Sequence, residues 1–308
     1  MKKKLLLLFF SFSICFHVGH AQEIILNQAG NGYRFSLNPA PKPPIRPAGG
    51  KETPKWLYFW EFGDGHYSEE VSPKHTYTAT GNYTVTVYLT AAYSLDHQKK
   101  FSQTVNIRSA GQTPLNPSYP GLSNSSSIRI TSNNNELVAR DELQLVIHYR
   151  PPPGYQSGKV VFAFNEKDSR KKSFNLVSAR PYYGETKEAD IYENETIYEN
   201  SSYSDFLEAQ AGNFQNVHAW SYKNLPTNST ARLFVTLKVE TPRIGQEIAI
   251  QAFLIPDQGP LRTSGTSTTK TMIILASHDP NRITVIPRTI ELPVPSDTAF
   301  KYRVFFQN

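Results

Sequence analysis

Between clusters of Gly, Pro and Asn, the chain runs in short segments where apolar and polar residues alternate with period 2. That alternation predicts β-strands with one face toward a core and one toward solvent. In residues 84–89 it puts Val85, Val87 and Leu89 on one face and Thr84, Thr86 and Tyr88 on the other. Residues 143–147, 159–164, 233–239 and 247–254 also read as strands, rich in Val, Ile and Phe. No long amphipathic helix is expected. The pattern predicts an all-β chain of tandem antiparallel β-sandwiches.

Punctuation divides this pattern. Residues 110–127 are rich in Ser, Pro and Gly and read as a linker between a first domain at 22–109 and a second at 128–277. A second Pro-rich stretch, 38–54, reads as a long loop inside the first domain, because strands on both sides need each other.

The first 21 residues are of another kind. Lys2, Lys3 and Lys4 precede an apolar run at 5–18, too short to span a membrane, and Gly19-His20-Ala21 offers small residues around a cut before Gln22. This predicts a secretory signal peptide and an extracellular or cell-surface destination. Ile14 stands where a lipidated cysteine needs a small residue before it, which argues against lipidation at Cys15.

Composition narrows the chemistry. Of 308 residues, 17 are Tyr and 18 Phe, so the chain has the aromatic content to fold. The formal charge of +6 includes the three leader lysines, and without them 29 Lys and Arg face 26 Asp and Glu, a net of +3. That is too little to argue for nucleic acid. The single cysteine lies in the leader, so the remaining 287 residues have no disulfide, thiolate nucleophile or cysteine metal site.

Three separated pieces carry a resemblance. Residues 58–65 read Tyr-Phe-Trp-Glu-Phe-Gly-Asp-Gly, 73–77 read Pro-Lys-His-Thr-Tyr, and 81–87 read Gly-Asn-Tyr-Thr-Val-Thr-Val. In this order they resemble the PKD domain, over about residues 22–108. The resemblance implies an immunoglobulin-like β-sandwich. The residues agree on their own terms. Tyr58, Trp60 and Phe62 share a face by parity and are expected to fill a core. Gly63-Asp64-Gly65 supplies a tight turn, with glycines at positive φ and an Asp able to bond nearby amides. Tyr77 and Tyr83 flank a turn through Gly81, where a hydroxyl can tie a loop to backbone.

Two local features invite a functional reading. Asp64, His66 and His75 hold metal-binding and acid–base chemistry, but the matching Asp and His of PKD-like sequences are fold-forming, and no further ligand follows at a metal spacing. They are expected to be structural, with no metal and no cofactor. Phe59 and Tyr88 point outward, where PKD-like sequences usually carry a polar residue at the first of these positions. They offer an aromatic patch for a glycan ring or a neighbouring domain, or are covered by the loop at 38–54, the cover expected here.

In the second domain, residues 182–210 hold Glu185, Glu188, Asp190, Glu193, Glu195, Glu199, Asp205 and Glu208 with interleaved tyrosines. The spacing is not that of a calcium loop, and a solvated acidic segment is expected. Residues 278–308 begin His-Asp-Pro-Asn and resemble the opening of a repeat module in secreted surface proteins of Bacteroidota. The resemblance implies a third, truncated β module, and the unpartnered final strand suggests a piece of a longer protein. Full-length proteins of that kind often end in a type IX secretion sorting domain, which these residues do not show, so the route to the surface stays open.

The sequence lacks Gly-x-Ser-x-Gly, His-Glu-x-x-His and a phosphate-binding glycine loop. The neighbouring pairs Glu69-Glu70 and Asp141-Glu142 point to opposite faces of a strand and cannot flank one bond. The expectation is a non-catalytic secreted or cell-surface modular protein, a spacer or adhesion element touching polysaccharide, protein or neighbouring modules, without nucleic acid and without a membrane span. The alternative is the N-terminal accessory region of a larger secreted protease or glycosidase.

Overall fold

The computed structural model describes residues 22–46, 53–92, 94, 96–111, 122, 126–134, 136–138, 140–153, 155–167, 172–188, 201–226, 229–240, 245–257, 265–275, 282–286 and 301–305. The leader at 1–21, most of the linker at 110–127 and most of 278–308 lie outside the described residues.

The first sandwich is built from β1 (Glu23–Ala29), β2 (Gly32–Asn38), β3 (Lys55–Glu61), β4 (Tyr67–Ser68), β5 (Lys74–His75), β6 (Gly81–Ala92) and β7 (Lys99–Ile107). They form two sheets, ordered β1-β2-β5 and β4-β3-β6-β7, with every pairing antiparallel. Period-2 parity decides the core: Ile24, Phe35 and Leu37 from one sheet meet Trp60, Val85, Val87, Leu89 and Val105 from the other.

The second sandwich comprises β8 (Ile128–Ser132), β9 (Glu136–Val138), β10 (Glu142–Tyr149), β11 (Gly158–Glu166), β12 (Phe174–Pro181), β13 (Thr186–Lys187), α1 (Ser201–Ala211), β14 (Phe214–Tyr222), β15 (Ala231–Val239), β16 (Glu247–Pro256) and β17 (Ser267–Leu275). One sheet runs β12-β15-β10-β8 and the other β13-β14-β11-β16-β17-β9. Pairings are antiparallel except that between β17 and β9. Leu145, Ile147, Leu233 and Val235 face Val160, Phe162, Ile250 and Leu254 across its core. Beyond it, β18 (Arg282–Ile286) and β19 (Lys301–Phe305) pair antiparallel. The fold is all-β, an arrangement of antiparallel β-sandwiches, with one helix among the described residues.

That helix corrects the reading of 182–210 as one acidic loop. Leu207 and Ala211, four residues apart, lie on one face of α1 and pack with Val161, Ala163, Phe253 and Ile255 on the outer face of the six-stranded sheet. A strand such as β11 is therefore buried on both faces, which its unbroken apolar run Val160-Val-Phe-Ala-Phe164 reflects. Residues 189–200, with Asp190, Glu193, Glu195 and Glu199, lie outside the described residues.

Candidate functional site

Burial on both faces also marks β3, where Phe59, Trp60 and Glu61 are buried in succession. Trp60 enters its own sandwich. Phe59 and Glu61 turn the other way, toward the second sandwich, from which Val146 and His148 of β10 and Arg232, Phe234 and Thr236 of β15 face back toward the first.

The centre of this junction is apolar. Phe59, Tyr67, Tyr88, Val146 and Phe234 form one buried cluster with Tyr182 packed against it. Phe59 stacks on Tyr67 at 5.3 Å between ring centroids, and Tyr182 meets Phe234 edge-on at 5.3 Å. Phe59 is 1% exposed and Tyr88 3%. Phe59 and Tyr88 therefore form no exposed patch, and the cover expected from the Pro-rich loop at 38–54 is not supplied by that loop's described residues. In that loop, the Ile45 amide bonds Asp96 and the Lys42 carbonyl accepts from the Trp56 indole. The second sandwich supplies the cover, because its own outward apolar residues meet those of β3 and β6.

Beside the aromatics lies an ion pair. Arg180 Nε donates to Glu61 Oε1 and Arg180 Nη2 to Glu61 Oε2, both at 2.7 Å, while the Tyr182 hydroxyl donates to Glu61 Oε1 at 2.7 Å. Thr236 Oγ1 accepts from the same guanidinium at 3.2 Å. Burial alone lowers the pKa of Arg180, but the bonds and charge of Glu61 outweigh it and the net shift is upward. Backbone groups join the seam as well. Arg232 Nε donates to the Gly65 carbonyl at 2.6 Å, and the Gln98 side chain both donates to the Glu142 carbonyl and accepts from the Glu142 amide. The Tyr67 hydroxyl lies 3.2 Å from His148 Nε2. Burial, with Arg232 and Arg129 nearby, pushes His148 down to about 3.

The signature turn sits at the rim of the junction. Gly63 and Gly65 both take φ of +82°. A Cβ on Gly63 falls 2.6 Å from the Thr84 carbonyl, and one on Gly65 falls 2.9 Å from Tyr182 Cβ of the second sandwich. Asp64 between them accepts from the His66 amide at 3.2 Å and from His75 Nε2 at 2.7 Å. Burial pushes the Asp64 carboxyl up, but hydrogen bonds from His66 and His75 overrule it and hold it well below the usual carboxylate range. The structure thus brings His75 of β5 to a turn eleven residues earlier, a meeting that residue spacing alone did not reveal. Of the remaining signature residues, Trp60 and Phe62 are in the core and Tyr58 is packed against it. The Tyr77 hydroxyl donates to the Phe62 carbonyl, and Tyr83, two residues past Gly81, donates to the Ala79 carbonyl, both at 3.0 Å.

The carboxylates at 185 and 188 are taken up internally. Glu185 accepts from the Tyr149 hydroxyl and the Tyr183 amide, both at 2.7 Å, and Glu188 bonds Ser221. A groove of about 360 Å³ opens on the flank of the second sandwich, lined by Val177, Ala179, Pro181, Lys187 and Trp220. It runs along β12, which ends its sheet among the described strands and is interrupted by a bulge between Leu176 and Ser178. Val177 at that bulge is 46% exposed.

Sequence comparison agrees with the first sandwich. Residues 48–107 match the PKD domain family. That stretch contains β3 to β7, the Gly63–Gly65 turn and the Phe59 and Glu61 side of the junction. No match to the chain is found among curated proteins. Among solved structures, the chain is similar to the cohesin module of a Clostridium perfringens family 33 glycoside hydrolase, at 13% identity over 49% of this chain and 99% of that one, with a TM-score of 0.29. It is also similar to the collagen-binding domain of a Staphylococcus aureus adhesin, at 11% identity over 49% and 99%, with a TM-score of 0.24. A third similarity is to the collagen adhesin of S. aureus, at 9% identity over 82% and 91%, with a TM-score of 0.25. The architecture stands on the strand pairings themselves, and no ligand is taken from these structures. Among the described residues, no helix is long and apolar enough to cross a membrane.

Proposed function

We propose that the protein is a non-catalytic, exported modular protein of the cell surface, whose first two sandwiches are docked into one stiff unit acting as a spacer and adhesion element. The observation that carries this reading is the junction between them, with its buried apolar centre and its ion pair. Flexible tandem modules touch through small polar surfaces. Here Phe59, Tyr88, Val146 and Phe234 are withdrawn from water together, and the buried Glu61 carboxylate is bonded by Arg180 and Tyr182 of the partner sandwich. Such a seam is suited to holding binding faces at a fixed distance and angle, whereas catalysis asks for an accessible cleft with converging reactive groups. The PKD match at 48–107 and the leader-like first 21 residues support an extracellular setting.

The test uses the full chain after leader removal, assayed against immobilised cell-surface polysaccharides and extracellular proteins, with hydrolysis of the same materials followed in parallel. Binding without turnover supports an adhesive role, and neither binding nor turnover supports a spacer. Cleavage of a glycan or peptide contradicts the proposal.

A further inference from the structure

We infer that Asp64, His66 and His75 form a binding site for a divalent transition-metal ion of the zinc class. One carboxylate oxygen and two imidazole nitrogens lie within 4.8 Å of one another where the Gly63–Gly65 turn meets β5. His75 Nε2 is 2.7 Å from Asp64 Oδ2, and His66 Nδ1 is 3.2 Å from Asp64 Oδ1. Zinc bound at about 2.0–2.2 Å to N and O ligands places neighbouring ligand atoms roughly 3.3 Å apart in a tetrahedron, so binding needs only small side-chain adjustments and transfer of the Nε2 proton that His75 gives Asp64 to its own Nδ1 or to solvent. Two imidazoles and one carboxylate with a fourth, open position suit zinc chemistry, whereas calcium asks for six or more oxygens.

The site is held before any ion arrives. The His75 ring stacks on Phe62 at 4.2 Å with planes 8° apart, and Tyr77 meets it edge-on at 4.6 Å, which fixes the direction of Nε2. Gly63 lies close against the Thr84 backbone, and the His66 amide donates to Asp64 Oδ1. The three side chains are only 14%, 18% and 6% exposed, in chain order. An anion so little hydrated is stabilised by a positive partner, which a dication supplies. His66, with the most exposure of the three, leaves room for a water ligand. Because the Gly65 carbonyl accepts from Arg232, an ion here also fixes the turn on which the second sandwich rests.

The experiment strips the full chain with EDTA and titrates it with Zn²⁺ by calorimetry and thermal melting. One ion per chain is expected, with Tm raised by roughly 5–10 °C at a hundredfold excess over Kd. His66→Asn, at the most exposed ligand, is expected to weaken zinc at least tenfold, with the zinc-induced melting shift read against that variant's own metal-free Tm. Co²⁺ added to the unaltered chain gives a second readout that needs no variant: visible bands of four-coordinate cobalt, bleached by one equivalent of Zn²⁺. No saturable heat and no cobalt bands overturn the proposal. So does unchanged zinc affinity in His66→Asn, or a melting shift produced equally by Ca²⁺.

Discussion

Glu61 and Arg180, 119 positions apart in the chain, meet through two parallel hydrogen bonds of 2.7 Å across the junction of the sandwiches. Glu61 is 3% exposed, so the carboxylate depends on the second sandwich for its charge partner. Removing one member of such a pair strands the other, which costs more than the pair itself contributes. Glu61→Ala is expected to destabilise the full chain by about 3 kcal/mol, at the lower end for buried pairs because the Arg180 side chain stays 28% exposed. Glu61→Ala combined with Arg180→Ala is expected to lose less than the sum of the two single changes. A double-mutant cycle by denaturant unfolding measures the difference.

The aromatic part of the junction predicts a change in cooperativity. Phe59→Ser with Tyr88→Ser leaves both cores untouched but puts hydroxyls against Val146 and Phe234. The two sandwiches then lose their reason to unfold together. Scanning calorimetry should show one transition in the unaltered chain splitting into two in the double variant.

Trp60 gives the contrasting case, since it is fully buried among Phe35, Val85 and Val87 of the first core. Trp60→Ala is expected to cost about 3–5 kcal/mol through lost burial and the cavity left behind. The loss should fall on the first sandwich, read by amide hydrogen exchange in β3 and β6.

Two groups at the seam respond to pH in opposite senses. His148 titrates near 3 in the fold against 6.5 ordinarily, so between these values the unfolded chain carries the extra proton and stability rises with pH. Burial raises Asp141 to about 6 from 3.8, against smaller opposing effects of His97 and Gln98, so between those values the folded chain carries the extra proton and stability falls with pH. Between about pH 4 and 6 the two slopes oppose each other. Relative to the unaltered chain, Asp141→Asn should make stability rise more steeply with pH across that window, and His148→Gln should make it fall, each by up to about 1.4 kcal/mol per pH unit. Unfolding free energies at half-unit intervals measure both.

Much of this architecture is legible in the sequence, and the limits of legibility have a physical form. Strand parity places Trp60 inward and Phe59 outward because side chains alternate, and the folded chain keeps that alternation. Parity says nothing about what lies over an outward face. The cover of Phe59 comes from Val146 and Phe234, remote in sequence, and local patterning could not distinguish it from the nearby Pro-rich loop. The short apolar runs 145–147 and 233–235 held the needed signal, since a strand segment without alternation is buried on both sides. The partner of Glu61 left no such trace, because a single outward carboxylate is ordinary on a sheet. Helix α1 escaped because Leu207 and Ala211 make a narrow stripe in a polar segment. Asp64, His66 and His75 stand out by residue type in the sequence, but their close approach is made by strand packing and not by spacing.

The central claim is that the two sandwiches form one stiff unit, and a distance between them tests it most directly. The only cysteine, Cys15, lies in the leader, so paired spin labels can be placed at Thr104→Cys on β7 and Lys238→Cys on β15, both exposed, without interference. Double electron–electron resonance on the full chain after leader removal should give one narrow distance distribution, no wider than for a label pair within a single sandwich. Adding Glu61→Ala and Phe59→Ser should broaden it. A broad or multi-peaked distribution in the unaltered junction contradicts the docked unit and the spacer role built on it.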